Sequence, residues 1–467
     1  MSTSETKSIS LSTATFLVIA NMIGTAVFTS ICFQIADIHS GMALIMLWVT
    51  GGLISICGAF VYGELASAFP RSGGEYNLLS NIYHPAIGFI AGWVSITVGF
   101  AAPVALSAMT LGIYLQDLFP SIDALRVSIA VIILITVIHS VSIKFGSLFQ
   151  VFFTVFKLAL IVLLILGGLF FVPASDTAFR FDAKFLSDFT SAPFAVSLFY
   201  ISYAYSGWNA AAYFAGEVKN GKRNVPKALF FGTLFVTLIY VGLNYIFLRA
   251  IPFDQIPMFN PELKKTSIDV GIVAANHIFG SVGGKLFGAA LSLALMASVS
   301  SMIFAGPRVT QTMGEDYAFF RFATIKNKQG APYVATLIQM LITILLVLYQ
   351  KFDAVFEYIG FTLNLITTLT VIGIFVIRYK KVGPADGYKT WGYPITPLIF
   401  IAYSFYIMYF LLQKDLDKII QFQQGLKPFS ESIPVSIVGF LTVLSGLVFY
   451  YFSPKKDALL AKSTESV

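Results

Sequence analysis

The chain has 467 residues, is 57% hydrophobic and only 11% charged, and carries a formal net charge of +7. That balance excludes an ordinary water-soluble domain, because its long apolar runs suit a hydrocarbon core about 30 Å thick, which takes roughly 20 residues of helix to cross. In such a chain the excess of Lys and Arg reads as a topology signal, not as a nucleic-acid surface.

Hydrophobic runs between charged or Pro/Gly breaks predict an all-α polytopic membrane protein with twelve transmembrane helices. They fall near 11–35, 41–68, 85–116, 125–142, 147–172, 192–215, 226–250, 283–313, 332–350, 354–378, 395–413 and 433–452. Connections are short, the longest near 173–191, 251–282 and 414–432, and the tails 1–10 and 453–467 are polar. No cleavable signal peptide is expected, since the first apolar run lacks a small-residue cleavage site. With the N-terminus in the cytoplasm, that side holds 18 of the 30 Lys and Arg, from Lys7 to Lys462. The opposite side holds 11, offset by 14 Asp and Glu. The expectation is therefore that both termini are cytoplasmic.

Span 1 contains "NMIGTAVFTS" (21–30), where Gly24-Thr25-Ala26 replaces the usual bulky residues. At bilayer depth, non-helical backbone is tolerated only where it lines a cavity. Cys32 and Cys57, in spans 1 and 2, read as small core residues and not as a disulfide or metal pair. Glu64, Arg71 and Glu75 follow at the cytoplasmic end of span 2, where pairing and a solvated helix end are both open readings. The span 3 run "TVGFAAPVALSA" (97–108) mixes small and apolar residues and suits a side-chain pocket.

Lys157 lies about ten residues into span 5, roughly 15 Å deep. An ammonium there costs several kcal/mol unless protein groups solvate it or it gives up its proton. It is too deep to snorkel, so it is expected to face the bundle interior as a fixed cation or proton carrier. Span 6, "FYISYAYSGWNAAAYFAGEV", has a second flexible centre at Ser206-Gly207, five spans after the first. Paired interrupted helices point to a secondary transporter built from inverted repeats. Freed N–H groups attract a carboxylate and freed C=O groups an ammonium, which together match an α-amino acid. Glycines for close helix packing are the plainer reading of both breaks.

His39, His84, His139 and His277 are scattered, and no metal-ligand spacing, nucleophile elbow or phosphate loop is seen. No metal, cofactor or enzymatic role is expected. The deep parts of spans 1, 3, 6, 8 and 10 hold no acidic residue; Glu357 and Glu64 sit near span ends. A cationic side chain would lack a buried partner, which favours neutral substrates.

Four stretches in order, "YGELASAFPRSGGEYNLL" (62–79), "YSGWNAAAYFAGEVKNGKRNVPKAL" (205–229), "AGPRVTQTMGEDYAFF" (305–320) and "YKTWGYPITPLIF" (388–400), resemble the amino acid–polyamine–organocation superfamily of permeases. The likeness is to its bacterial branch, close to L-type amino acid transporters, and it runs through nearly the whole chain. It implies a five-plus-five inverted repeat with broken helices 1 and 6: a first repeat at 11–172, a second at 192–378, and two further spans at 395–452. It implies a multi-pass protein of the cytoplasmic membrane that carries amino acids or polyamines.

By the same resemblance, Gly24, Thr25 and Ala26 cup the substrate carboxylate, with Ala26 departing from the family's second Gly. The carbonyls of Met22, Ile23, Tyr203 and Ser206 beside Gly207 take the amine, and Tyr203 forms an outer gate. Trp208 and Asn209 are expected to hold the unwound segment. Lys157 matches the span 5 lysine of sodium-independent relatives, with Ser298 as its span 8 partner and Ser300 and Ser301 close by. Such a cation disfavours sodium coupling; exchange and coupling to protons remain open. The loop 117–125 lacks the cysteine that ties animal L-type members to a heavy chain, so no disulfide-linked partner is expected. A polyamine or cationic amino acid carrier, a channel and a non-transporting sensor are the alternatives.

Overall fold

A computed structural model describes residues 9–35, 37–173, 179–252, 270–349, 352–383, 387–425 and 434–453. Most of both expected tails, with Lys7, Lys455, Lys456 and Lys462, and the side chain of Glu357 lie outside the described residues.

The described residues are helical, and one isolated backbone bridge, Ile9 to Val218, replaces any sheet. There the Ile9 N–H donates to the Glu217 carbonyl (3.1 Å) and the Lys219 N–H to the Ile9 carbonyl (2.9 Å). Span 1 is α1 (Leu11–Met22), α2 (Ala26–Thr29) and α3 (Ile31–Gln34). After it come α4 (Gly41–Ala68) and the short α5 (Glu75–Ile82). Span 3 is α6 (Pro85–Val94), a π-helical turn (Ser95–Gly99) and α7 (Ala101–Leu118). Then follow α8 (Ala124–Val141), α9 (Ile143–Phe171), α10 (Ala183–Phe189) and α11 (Ala192–Ala204), with 3-10 turns at Ala210–Glu217. The remainder is α12 (Gly221–Ala250), α13 (Val270–Asp316), α14 (Tyr333–Tyr349), α15 (Phe352–Tyr379), α16 (Ile395–Gln423) and α17 (Val435–Tyr451).

Among the described residues, eight helical stretches are long and apolar enough to cross a membrane. Four shorter apolar helices stand at the other expected positions, and two of these, Leu11–Met22 and Ala192–Ala204, stop where the sequence predicts a break. Several expected connections contain helix, among them 173–191, which holds α10. α5 is buried where a cytoplasmic loop was expected, because Tyr76, Leu78, Leu79 and Ile82 pack into the core. α13 starts at Val270, ahead of the expected 283, and bends at Gly280, whose φ of 75° a side chain would strain. α16 runs past 413 to Gln423.

α9 shows how the bundle sorts its faces. Gln150, Thr154, Lys157, Ile161 and Leu164 are buried, at helical three- and four-residue spacing. Leu148, Phe152, Val155, Leu166 and Phe170 are exposed on the other side. Polar groups therefore face protein and apolar ones face outward, the reverse of a water-soluble helix.

Candidate functional site

The first break begins at Ile23, which leaves helical backbone with φ −76° and ψ 95°. Helix resumes at Ala26 and passes through Ser30, itself helical, so α2 and α3 act as one half-helix. Thr25 and Ala26 are buried, whereas a Cβ added to Gly24 would meet nothing within 4 Å. The second break follows Ala204. Gly207 adopts φ +92°, and a Cβ there would sit 2.8 Å from the Asn21 carbonyl oxygen. Only glycine fits, and the two interrupted helices touch backbone to backbone at this point.

The carbonyls freed at both breaks have found donors. The Tyr240 hydroxyl, from α12, is 2.7 Å from the Met22 carbonyl and 3.0 Å from the Ala204 carbonyl, so its proton is shared between the two half-helix ends. An edge contact with Trp48 (ring centroids 5.4 Å apart) fixes the phenol, and Tyr205 donates to the Trp48 carbonyl at 2.9 Å. The Tyr203 carbonyl accepts from the Ser206 N–H at 2.9 Å.

Lys157 is fully buried and reaches the first break from α9. Its Nζ donates to the Ile23 carbonyl and, at 3.1 Å, to Ser298 Oγ. Ser298 in turn donates to the same carbonyl at 3.0 Å, closing a triangle between α9, α13 and the break. Ser301 lies beside it but donates to the Ser298 carbonyl (2.9 Å), and Ser300 bonds His139 Nε2 (2.8 Å).

A cleft of about 560 Å³, part of it open to solvent, lies along the second break. Asn21, Ser206, Gly207, Asn209 and Tyr213 line it, with Glu75 from α5 and Ser95, Gly99 and Phe100 from the π-helical turn of span 3. That turn has a local cause. Pro103 has no N–H to offer the Gly99 carbonyl, and the Phe100 N–H bonds Ser95 O at 3.1 Å across five residues. Of the residues chosen from sequence, Ser206 and Gly207 line the cleft, while Ile23, Lys157 and Ser298 assemble at the first break. Tyr203 packs among apolar side chains and is not part of the cleft wall.

Sequence reasoning missed Tyr240 and the burial of Glu75. Tyr240 sits in an apolar run with no motif to mark it. Glu75 stands in a conspicuous "SGGEY", but nothing there shows that the segment turns inward.

The charges at the α5 end of the bundle do not pair with one another as a cluster. Glu64 takes Arg378 (2.8 Å) and the Thr390 N–H (2.7 Å). Arg71 takes Asp316 (2.9 Å) and Glu315 (3.2 Å). Arg308, on α13, holds Glu217 at the end of the second break's 3-10 turns (2.6 Å) and lies over the Phe304 ring.

The chain is 26% identical over 457 residues to the serine/threonine exchanger SteT of Bacillus subtilis, covering 97% of this chain and 98% of that protein. It is 28% identical over 393 residues to the large neutral amino acids transporter small subunit 2 of Oryctolagus cuniculus, covering 80% and 70%. With the b(0,+)-type amino acid transporter 1 of Mus musculus the identity is 24% over 459 residues, covering 96% and 88%. A family model described as amino acid permease matches residues 9–463, across both breaks and the Lys157 triangle, and the chain belongs to the amino acid permease family.

Proposed function

We propose that this protein is a secondary transporter of L-amino acids that works by alternating access across the cytoplasmic membrane, independently of sodium. The family and these relatives are transporters, not enzymes. The observation that carries the reading is the meeting of two interrupted helices, Gly207 against Asn21, beside a cleft and a buried lysine. Gly24, Thr25 and Ala26 offer the start of a half-helix to the substrate carboxylate. The ammonium goes to break carbonyls. Those of Met22 and Ile23 already bond Tyr240, Lys157 and Ser298, so binding there means sharing them or displacing a donor.

Lys157 supports sodium independence. A fixed ammonium bonded to Ile23 O and Ser298 Oγ supplies the positive charge that a metal cation would otherwise bring to the break. Obligatory exchange and proton coupling both suit this arrangement, and the name of the SteT relative favours exchange. The same reading includes twelve spans in two inverted repeats, 11–172 and 192–378, with spans 11 and 12 at 395–452. It places both termini in the cytoplasm and needs no disulfide-linked heavy chain.

The test is uptake of a panel of radiolabelled amino acids into proteoliposomes, with and without sodium, a proton gradient and internal amino acid. Saturable uptake that persists without sodium is expected. A conductance that does not saturate would mean a channel, and no uptake of any amino acid would end the substrate reading.

A further inference from the structure

Glu75 is 2% exposed, yet it borders the cleft. Its Oε1 accepts two hydrogen bonds, from Tyr62 OH at 2.8 Å and from Asn209 Nδ2 at 2.6 Å. Its Oε2 is buried and meets no donor in hydrogen-bond geometry, although the Tyr213 hydroxyl, also on the cleft wall, lies close to the carboxylate. The Tyr62 and Asn209 donors are both neutral. No Lys or Arg lies within 4 Å of it among the described residues, and the arginines at this end of the bundle bond Glu64, Glu217, Glu315 and Asp316 instead. A buried carboxylate without a cation is costly. The protein supplies no counter-charge, and the cleft is the open side.

We infer that Glu75 Oε2 is a cation subsite of the transport cleft, taking the side-chain ammonium or guanidinium of a cationic amino acid. This rests on the transporter reading above and widens its substrate class. Glu75 removes the premise that a cationic side chain lacks a buried partner, because that premise covered the deep parts of spans 1, 3, 6, 8 and 10 and not the short helix α5. Asn209 joins the carboxylate to the second break, and both border the same cleft, so an amino acid seated on that break would lie in the cleft that Glu75 borders.

Lysine and norleucine separate the possibilities, since they differ by the terminal ammonium. In wild-type proteoliposomes, lysine is expected to be carried and to half-saturate uptake at no higher concentration than norleucine. Glu75→Gln keeps acceptors for Tyr62 and Asn209 while removing the charge. It is expected to raise the half-saturating lysine concentration, relative to that for norleucine, by about tenfold or more. Norleucine carried and lysine refused by wild type overturns the subsite alone, whereas neither carried overturns the transporter reading. An equal loss for both solutes in Glu75→Gln, or no change for either, also overturns the subsite and leaves Glu75 a strut. If the variant does not fold, the wild-type comparison of lysine with Nε-acetyl-lysine decides: equal half-saturation rejects the subsite.

Discussion

Lys157 bonds the first break through the Ile23 carbonyl. Its ammonium makes a charge-assisted bond of about 1.5–3 kcal/mol, which corresponds to roughly 10- to 100-fold in rate if the bond holds the transport-competent break. Lys157→Ala is therefore expected to slow uptake by that factor, and a variant that transports at the wild-type rate removes Lys157 from the mechanism. Tyr240→Phe withdraws one proton from two carbonyls and is expected to cost about 1–3 kcal/mol. Thermal unfolding of the purified protein in detergent measures it, and an unchanged midpoint contradicts the shared bond. These two residues also show what the sequence discloses. Lysine amid leucines is costly in hydrocarbon, so one residue identity is enough to demand a partner. Tyrosine is at home in an apolar run, and only the fold shows that its hydroxyl bridges two breaks.

Among the elements, the interruptions in spans 1 and 6 were legible because glycine and short polar residues are expensive at bilayer depth. The inward course of α5 was not, because eight residues between two spans read equally well as a loop. Nor was the π-helical turn of span 3, which depends on how Pro103 is accommodated. The Arg308–Glu217 pair links α13 to the end of the second break with both side chains largely buried. A double-mutant cycle with Arg308→Gln and Glu217→Gln is expected to give a coupling energy of roughly 0.5–3 kcal/mol from thermal unfolding. Strict additivity would show that the pair does not tie these elements together.

For the whole molecule, composition alone dictated a helical membrane protein, and the apolar outer face of α9 against its polar inner face follows from the same solvent rule. Orientation rests on the Lys and Arg asymmetry. Epitopes placed at both ends are expected to resist protease in sealed right-side-out vesicles and to be cleaved in inverted ones; cleavage of either end in right-side-out vesicles rejects the assignment. The backbone bridge between Ile9 and residues 217–219 has a mechanical consequence. It rivets the start of span 1 to the end of span 6, so at that end the two half-helices share one lever arm. Force applied to either is delivered to both, so in the alternating access proposed above the two half-helices would swing as one leaf rather than two.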